Sequence, residues 1–221
     1  MQKIVIVGGV AAGATAAAKA RRITPDAQIT ILEAGPDISF ANCGLPYYIG
    51  GDIKSRSKLI LQSPESFKNQ YDVNVFVNTR VTAIDRIAKK VLAKNSQNGA
   101  EKQFEYDKLI LAQGGRPIKP NLPGADLEHV FSLWTLDDMD RIDSFIKENA
   151  PKTAVVVGGG FIGLEMAENL KRAGLEVTVI EMADHLIASL DFDMAADVQQ
   201  YLRTKGIRLI LGNGVKSIEE L

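Results

Sequence analysis

A chain of 221 residues with 46% hydrophobic content has room for one large domain or two modest ones, with a proper core. Its 26 basic and 27 acidic residues nearly cancel and no basic stripe stands out, which argues against nucleic acid or an anionic membrane surface as the main partner. No apolar run reaches the about 18 residues that span a bilayer, no secretory pattern opens the chain, and one cysteine excludes an internal disulfide framework, so a reducing cytoplasm is the expected setting.

In chain order, Lys3–Val7 reads as a strand buried on both faces, followed by the glycine turn Gly8-Gly9-Val10-Ala11-Ala12-Gly13. A helix is expected over 14–22, where the alanines suit close helix–sheet packing, and a second strand over 28–33 ends in Glu33. The run Ser39-Phe40-Ala41-Asn42-Cys43-Gly44-Leu45-Pro46-Tyr47-Tyr48 carries the lone thiol. Residues 73–77 and 80–84 alternate, 91–93 follow, and Asn95-Ser96-Gln97-Asn98-Gly99 turns, which together predict a small antiparallel meander. Residues 109–112 read as another buried strand, and Pro117, Pro120 and Pro123 punctuate a crossing to the second half. There a helix is expected over 137–148, then strand Thr153–Val157, a second glycine turn, helix 164–172, strand 177–181 ending in Glu181, helix 193–205 and strand 207–211.

The two halves are therefore copies of one βαβ unit. Gly8 precedes Glu33 by 25 positions and Gly158 precedes Glu181 by 23, the spacing of a dinucleotide unit. The second turn, Gly158-x-Gly160-x-x-Gly163, is the complete fingerprint: tight turn, bare approach for a pyrophosphate, close helix–strand packing. Glu181 suits a ribose 2′-hydroxyl and repels a 2′-phosphate, and no Arg or Lys occurs over 182–187, so NADH is expected ahead of NADPH. The first turn has Val10 at the middle position, yet its placed acid and its downstream copy favour a nucleotide site over a bare structural turn. Two dinucleotides in one chain suggest a nicotinamide donor and a flavin relay. The expected fold class is α/β, with two Rossmann-like βαβ domains and a small antiparallel meander in the first. Residues 1–118 are expected as the FAD-binding domain, including the cysteine run, and 119–221 as the NAD(H)-binding domain. Both are expected to be incomplete through C-terminal truncation, since the second half has too few strands for a finished sheet.

The order of first βαβ unit, cysteine run, meander and second βαβ unit resembles the FAD-dependent pyridine nucleotide–disulfide oxidoreductases. The ten-residue cysteine run is similar to the branch of coenzyme A disulfide reductases and CoA-dependent persulfide reductases. By that resemblance Gly8, Gly13 and Glu33 bind FAD, with Ser39 and Asn42 near the thiol. Gly158, Gly160, Gly163 and Glu181 bind the nicotinamide nucleotide, and Cys43 is the catalytic residue facing the flavin. The resemblance also implies a FAD-closing segment and a dimerisation domain, both expected to be absent from these 221 residues, and a homodimer at full length. Where the family usually has Ala-Thr-Gly, this chain has Ala112-Gln113-Gly114.

Two departures narrow the branch. Relatives with two reactive cysteines space them Cys-x-x-x-x-Cys, and here Tyr48 holds the second position. Peroxidase and oxidase relatives carry a histidine in the first glycine turn, where this chain has Ala11; His129 and His185 read as surface residues. The implied activity is reduction of CoA disulfide or of a CoA or small-molecule persulfide through one thiol. The alternatives are an NADH oxidase or peroxidase, or a non-catalytic nucleotide-binding fragment. For Cys43 alone, the competing reading is a buried, inert core thiol.

Overall fold

In the computed structural model, which describes residues 1–220, the first strand β1 (Lys3–Val7) is buried on both sides, as its run of Ile and Val predicts. Ile4 and Ile6 face a core shared with Ala14 and Ala17 of helix α1 (Ala11–Ile23). Val5 faces the opposite core, with Leu32, Val91 and Ala93. Ala17 is fully buried; small residues there let α1 lie close to the sheet. Strand β2 (Gln28–Leu32) pairs parallel with β1.

Residues 42–56 then leave this first unit. They form a 3₁₀ turn, Asn42–Gly44, and a short helix α2 (Leu45–Ile49). By packing they group with 117–221, whereas Met1–Ala41 and Ser57–Arg116 form the first unit. Back in that unit, helix α3 (Pro64–Tyr71) starts with a capping box, Ser63 and Ser66 satisfying each other's backbone N–H. It leads into β3 (Val73–Phe76).

Strand β3 differs from the sequence expectation. It pairs parallel with β2, Ile29 opposite Val73 through Leu32 opposite Phe76, and so belongs to the main sheet rather than to the meander. Alternation identifies a strand with two unlike faces but not its partner. The partner is set by α3, a crossover that brings the chain back parallel, and by the full burial of Val73 in the α1-side core. The meander is β4 (Thr79–Asp85), β5 (Lys90–Asn95) and β6 (Glu101–Glu105), antiparallel, with an irregularity between Val81 and Ala83. It covers the other face of the main sheet through Val91 and Ala93. Strand β7 (Lys108–Leu111) pairs with the free side of β1, completing the order β3-β2-β1-β7.

The second unit opens with α4 (Leu136–Asn149), started by a capping box between Thr135 and Asp138. Strand β8 (Thr153–Val157), helix α5 (Phe161–Arg172), strand β9 (Glu176–Ile180), helix α6 (Phe192–Thr204) and strand β10 (Arg208–Ile210) follow. The sheet order β10-β9-β8, all parallel, repeats β3-β2-β1. Among the described residues β8 is an edge strand, with Val155 60% exposed.

Both glycine-turn helices start three residues earlier than expected, at Ala11 and Phe161. The third glycine of each turn therefore lies inside the first helical turn. Its bare backbone is what allows the helix to begin against the strand.

Candidate functional site

The two glycine turns share their main backbone contacts. Gly8 and Gly158 have φ of +98° and +106°, a region costly for residues with a Cβ. Each donates its N–H to the end of the second strand, Gly8 to Leu32 at 2.8 Å and Gly158 to Ile180 at 2.9 Å. A Cβ on Gly13 would stand 1.8 Å from the Gly8 carbonyl oxygen, and one on Gly163 2.1 Å from that of Gly158. Neither α1 nor α5 has a side-chain cap, so their first N–H groups are available to a phosphate. Asp191 leaves α6 uncapped too; what distinguishes α1 and α5 is the glycine turn before them. At Gly160 a Cβ would meet nothing within 4 Å, so the backbone faces open space there. In the first turn Val10 fills that position and is half-buried. The second turn thus fits a dinucleotide without qualification, and the first fits one approached around a valine.

The two acids are held by the turns themselves. Glu33 accepts from Gly9 N–H and from Gly35 N–H, both at 2.7 Å. Glu181 accepts from Gly159 N–H at 2.6 Å and from Ala183 N–H at 2.8 Å. The Ala183 N–H first, and then the Gly159 N–H, hold the Glu181 carboxyl below the usual carboxylate range. A carboxylate has about four acceptor positions; two remain on each acid for a ribose hydroxyl. His185 is not a surface residue: its side chain is 17% exposed and Nδ1 lies 2.9 Å from the Leu186 carbonyl. His129 is exposed.

The duplication extends one step past the acids, which sequence reading did not reach. Ser39 N–H donates to Gly9 O at 3.0 Å, and Ile187 N–H donates to Gly159 O at 2.9 Å. Both residues are left-handed, with φ of +47° and +49°, an uncommon conformation for serine and a strained one for β-branched isoleucine. Ser39 is therefore a backbone clasp on the first turn as well as the start of the cysteine run. Superimposing the two halves by their acids would have revealed this pairing.

Cys43 is exposed, on the 3₁₀ turn Asn42–Gly44, which removes the reading of a buried core thiol. Behind it Leu45, Pro46 and Ile49 are buried, and Tyr47 and Tyr48 are half-buried. Gly8, Gly13, Glu33 and Ser39 come together in the first unit. Gly158, Gly160, Gly163 and Glu181 come together in the second. Asn42 and Cys43 share the 3₁₀ turn. Sequence reading missed Gly9, Gly35, Gly159 and Ala183, the donors to the two acids. It named Ala112 but not its contact with the first turn, where its carbonyl oxygen would lie 2.2 Å from a Cβ on Gly8.

No helix among the described residues is long and apolar enough to cross a membrane. The family model for pyridine nucleotide-disulphide oxidoreductases matches residues 2–221. A coenzyme A disulfide reductase of Staphylococcus haemolyticus is 38% identical over 220 residues, which is 100% of this chain and 49% of that protein. An NADH oxidase of Methanocaldococcus jannaschii is 37% identical over 217 residues, 98% of this chain and 48% of that protein. The structure of an NAD-dependent persulfide reductase from A. fulgidus superimposes with a TM-score of 0.95 at 40% identity, covering 100% of this chain and 41% of that one. The chain spans about half the length of the curated relatives it matches.

Proposed function

The chain belongs to the pyridine nucleotide-disulphide oxidoreductase family, and we propose that it is the nucleotide-binding, thiol-bearing part of an NADH-dependent enzyme that reduces CoA disulfide or a CoA or small-molecule persulfide through Cys43. The observation that carries this reading is an exposed thiol with no second cysteine in the chain. Such a thiol has no internal disulfide to make, so its disulfide partner must come from outside.

In this reading Gly8, Gly13 and Glu33 hold FAD, with Ser39 and Asn42 beside it. Gly158, Gly160 and Gly163 seat the NADH pyrophosphate on α5, and Glu181 takes the ribose hydroxyl while repelling a 2′-phosphate. Bound FAD supplies the relay that turns a hydride from NADH into an electron pair for sulfur. Cys43 acts as the thiolate, the nucleophilic form of cysteine. It attacks one sulfur of the disulfide, forming a mixed disulfide on Cys43 and releasing the first thiolate. Two electrons then cleave the mixed disulfide, restoring the Cys43 thiolate and releasing the second. The sum is NADH, one proton and one disulfide giving NAD⁺ and two thiols. With a persulfide the same thiol attacks sulfur and sulfide is released. Coenzyme A as the thiol, a homodimer at full length and a cytoplasmic setting complete the proposal.

The test is turnover of CoA disulfide with NADH in FAD-loaded protein. Cys43→Ser is expected to abolish it while leaving reduction of the flavin by NADH intact, followed by bleaching of the flavin absorbance. Turnover that survives the substitution would sink the mechanism. A second reading, an NADH oxidase, is favoured by the M. jannaschii relative. It predicts rapid NADH consumption in air without any disulfide. A third, a nucleotide-binding piece without activity of its own, follows from the half-length coverage of the relatives and predicts a colourless protein that still binds NADH.

A further inference from the structure

Helix α5 begins at the second glycine turn, and its far half carries a buried side chain with an unmet need. Asn169 is fully buried. Its Nδ2 donates to the Glu165 carbonyl at 2.8 Å, which fixes the amide, and among the described residues its Oδ1 has no hydrogen-bond partner. Buried acceptors are normally satisfied, so packing holds this one in place. What it packs on is Gly50, the C-cap of α2. A Cβ on Gly50 would lie 2.2 Å from Asn169 Oδ1 and 2.9 Å from both Cβ and Cγ of Asn169. Gly50 has φ −73°, so glycine is needed there for space and not for backbone conformation.

Ion pairs flank this contact. Arg172, one turn further along α5, pairs with Asp52 and is itself braced by Glu168 at 3.0 Å. On α4, Asp140 accepts from Arg56 Nε at 2.8 Å, and Lys147 lies 6.0 Å from the centre of the Tyr48 ring. Between the anchors the segment is folded on itself, with Asp52 and Ile53 both donating to the Tyr47 carbonyl. These holds on residues 42–56 come from α4 and α5.

We propose that Asn169 and Gly50 form a positioning lock, reinforced by Arg172–Asp52, that seats the Cys43 segment on the same helix whose N-terminus carries the second glycine turn. Asn169, Gly50, Arg172 and Asp52 are positioning residues; none reacts. The proposal rests on the reading of Cys43 as the reacting thiol, and its test is separable from the test of that reading.

The test uses the full chain and Gly50→Ala, alone and combined with Asn169→Ala. The second change removes Oδ1 and Cγ, two of the three atoms that the new methyl would strike, and leaves only the Asn169 Cβ at 2.9 Å, which has to give by a few tenths of an ångström. Cys43 is the one cysteine of the chain, so its reaction with 5,5′-dithiobis(2-nitrobenzoate) reports this thiol alone. In Gly50→Ala, hydrogen exchange at the amides of Gly50, Gly51 and Ile53 is expected to rise at least tenfold, with the β8 and β9 amides unchanged. The labelling rate is expected to rise at least fivefold as the segment loosens. Both are expected to return to within threefold of the wild-type values in the double variant. A merely structural defect would move the β8 and β9 amides as well and would not be reversed by a second truncation. The lock is overturned if either quantity in Gly50→Ala stays within twofold of wild type, or if Asn169→Ala fails to reverse the change. Should Gly50→Ala not fold, Arg172→Met cuts the outer anchor without adding an atom to the contact and is read by the same quantities. An unaffected labelling rate would leave the role of Cys43 standing, and turnover in Cys43→Ser would remove that role while leaving the exchange result intact.

Discussion

Replacing Glu181 by glutamine tests the nucleotide turn and the charge reading together. The wild-type carboxylate accepts from Gly159 and Ala183 N–H groups at 2.6 and 2.8 Å. Glutamine keeps one carbonyl acceptor and turns an NH₂ toward the other donor. One charge-assisted bond is lost and the other becomes neutral; bonds to charged groups are worth about 1.5–3 kcal/mol and neutral ones about 0.5–1.5. Because Glu181 is partly exposed, the net cost is trimmed to about 1–2 kcal/mol, a fall in melting temperature of roughly 2–8 °C. The effect has a defined pH sense. The backbone donors lower the carboxyl pKa in the folded state, so its contribution is present above the ordinary carboxylate value and is lost as pH falls through the lowered one. The melting gap between wild type and variant should therefore be widest near neutrality and close in acid. Binding should change as well. A 2′-phosphate about 5 Å from the carboxylate is repelled by roughly 1.5–3 kcal/mol in a screened surface site, so the preference for NADH over NADPH should shrink about tenfold or more. Calorimetric melting across pH and titration with both nucleotides measure the two effects. An unchanged melting temperature together with an unchanged nucleotide preference would refute the role given to Glu181.

Gly13→Ala places a methyl 1.8 Å from the Gly8 carbonyl oxygen, a backbone atom that cannot swing aside. The variant should melt with a loss of about 1–3 kcal/mol from overpacking, and FAD retention, read by flavin absorbance after desalting, should fall with it. Gly160→Val makes the second turn like the first. Thermal melting should stay within about 1 kcal/mol of wild type, while NADH affinity measured by titration should drop at least tenfold.

Much of this arrangement was legible because it is local. The Ile and Val runs of β1 and β8, the glycines after them and the acids at the ends of the second strands all sit within one βαβ unit, where spacing is enough. The features that escaped depend on partners distant in sequence. Residues 73–77 alternate as any two-faced strand does, and only the crossover through α3 makes β3 a parallel neighbour of β2. The helix starts were misplaced because a glycine reads as a helix boundary, whereas Gly13 and Gly163 sit inside the first turn for lack of a Cβ. The seat of the cysteine segment left no trace at all. Gly50 looks like an ordinary turn glycine and Asn169 like an ordinary polar helix residue, and their need for each other exists only in the packed structure.

The glycines of the two turns separate what the fold requires from what a ligand requires. Gly13 and Gly163 are demanded by the chain, since any side chain would strike the carbonyl of Gly8 or Gly158. Gly8 and Gly158 are demanded by their positive φ, and Gly8 also by the Ala112 carbonyl. Gly160 is different. Its φ of −79° suits any residue and a Cβ there would meet no protein atom. No described residue requires a glycine at that position; the proposed function supplies the requirement, as a ligand that approaches the bare backbone. The matching position in the first turn carries Val10, which the fold accepts half-buried at the start of α1. The two sites thus share one scaffold and make different demands on the ligand. In the proposed function the second turn takes a pyrophosphate pressed against the backbone, and the first a dinucleotide held chiefly by the helix start and by Glu33.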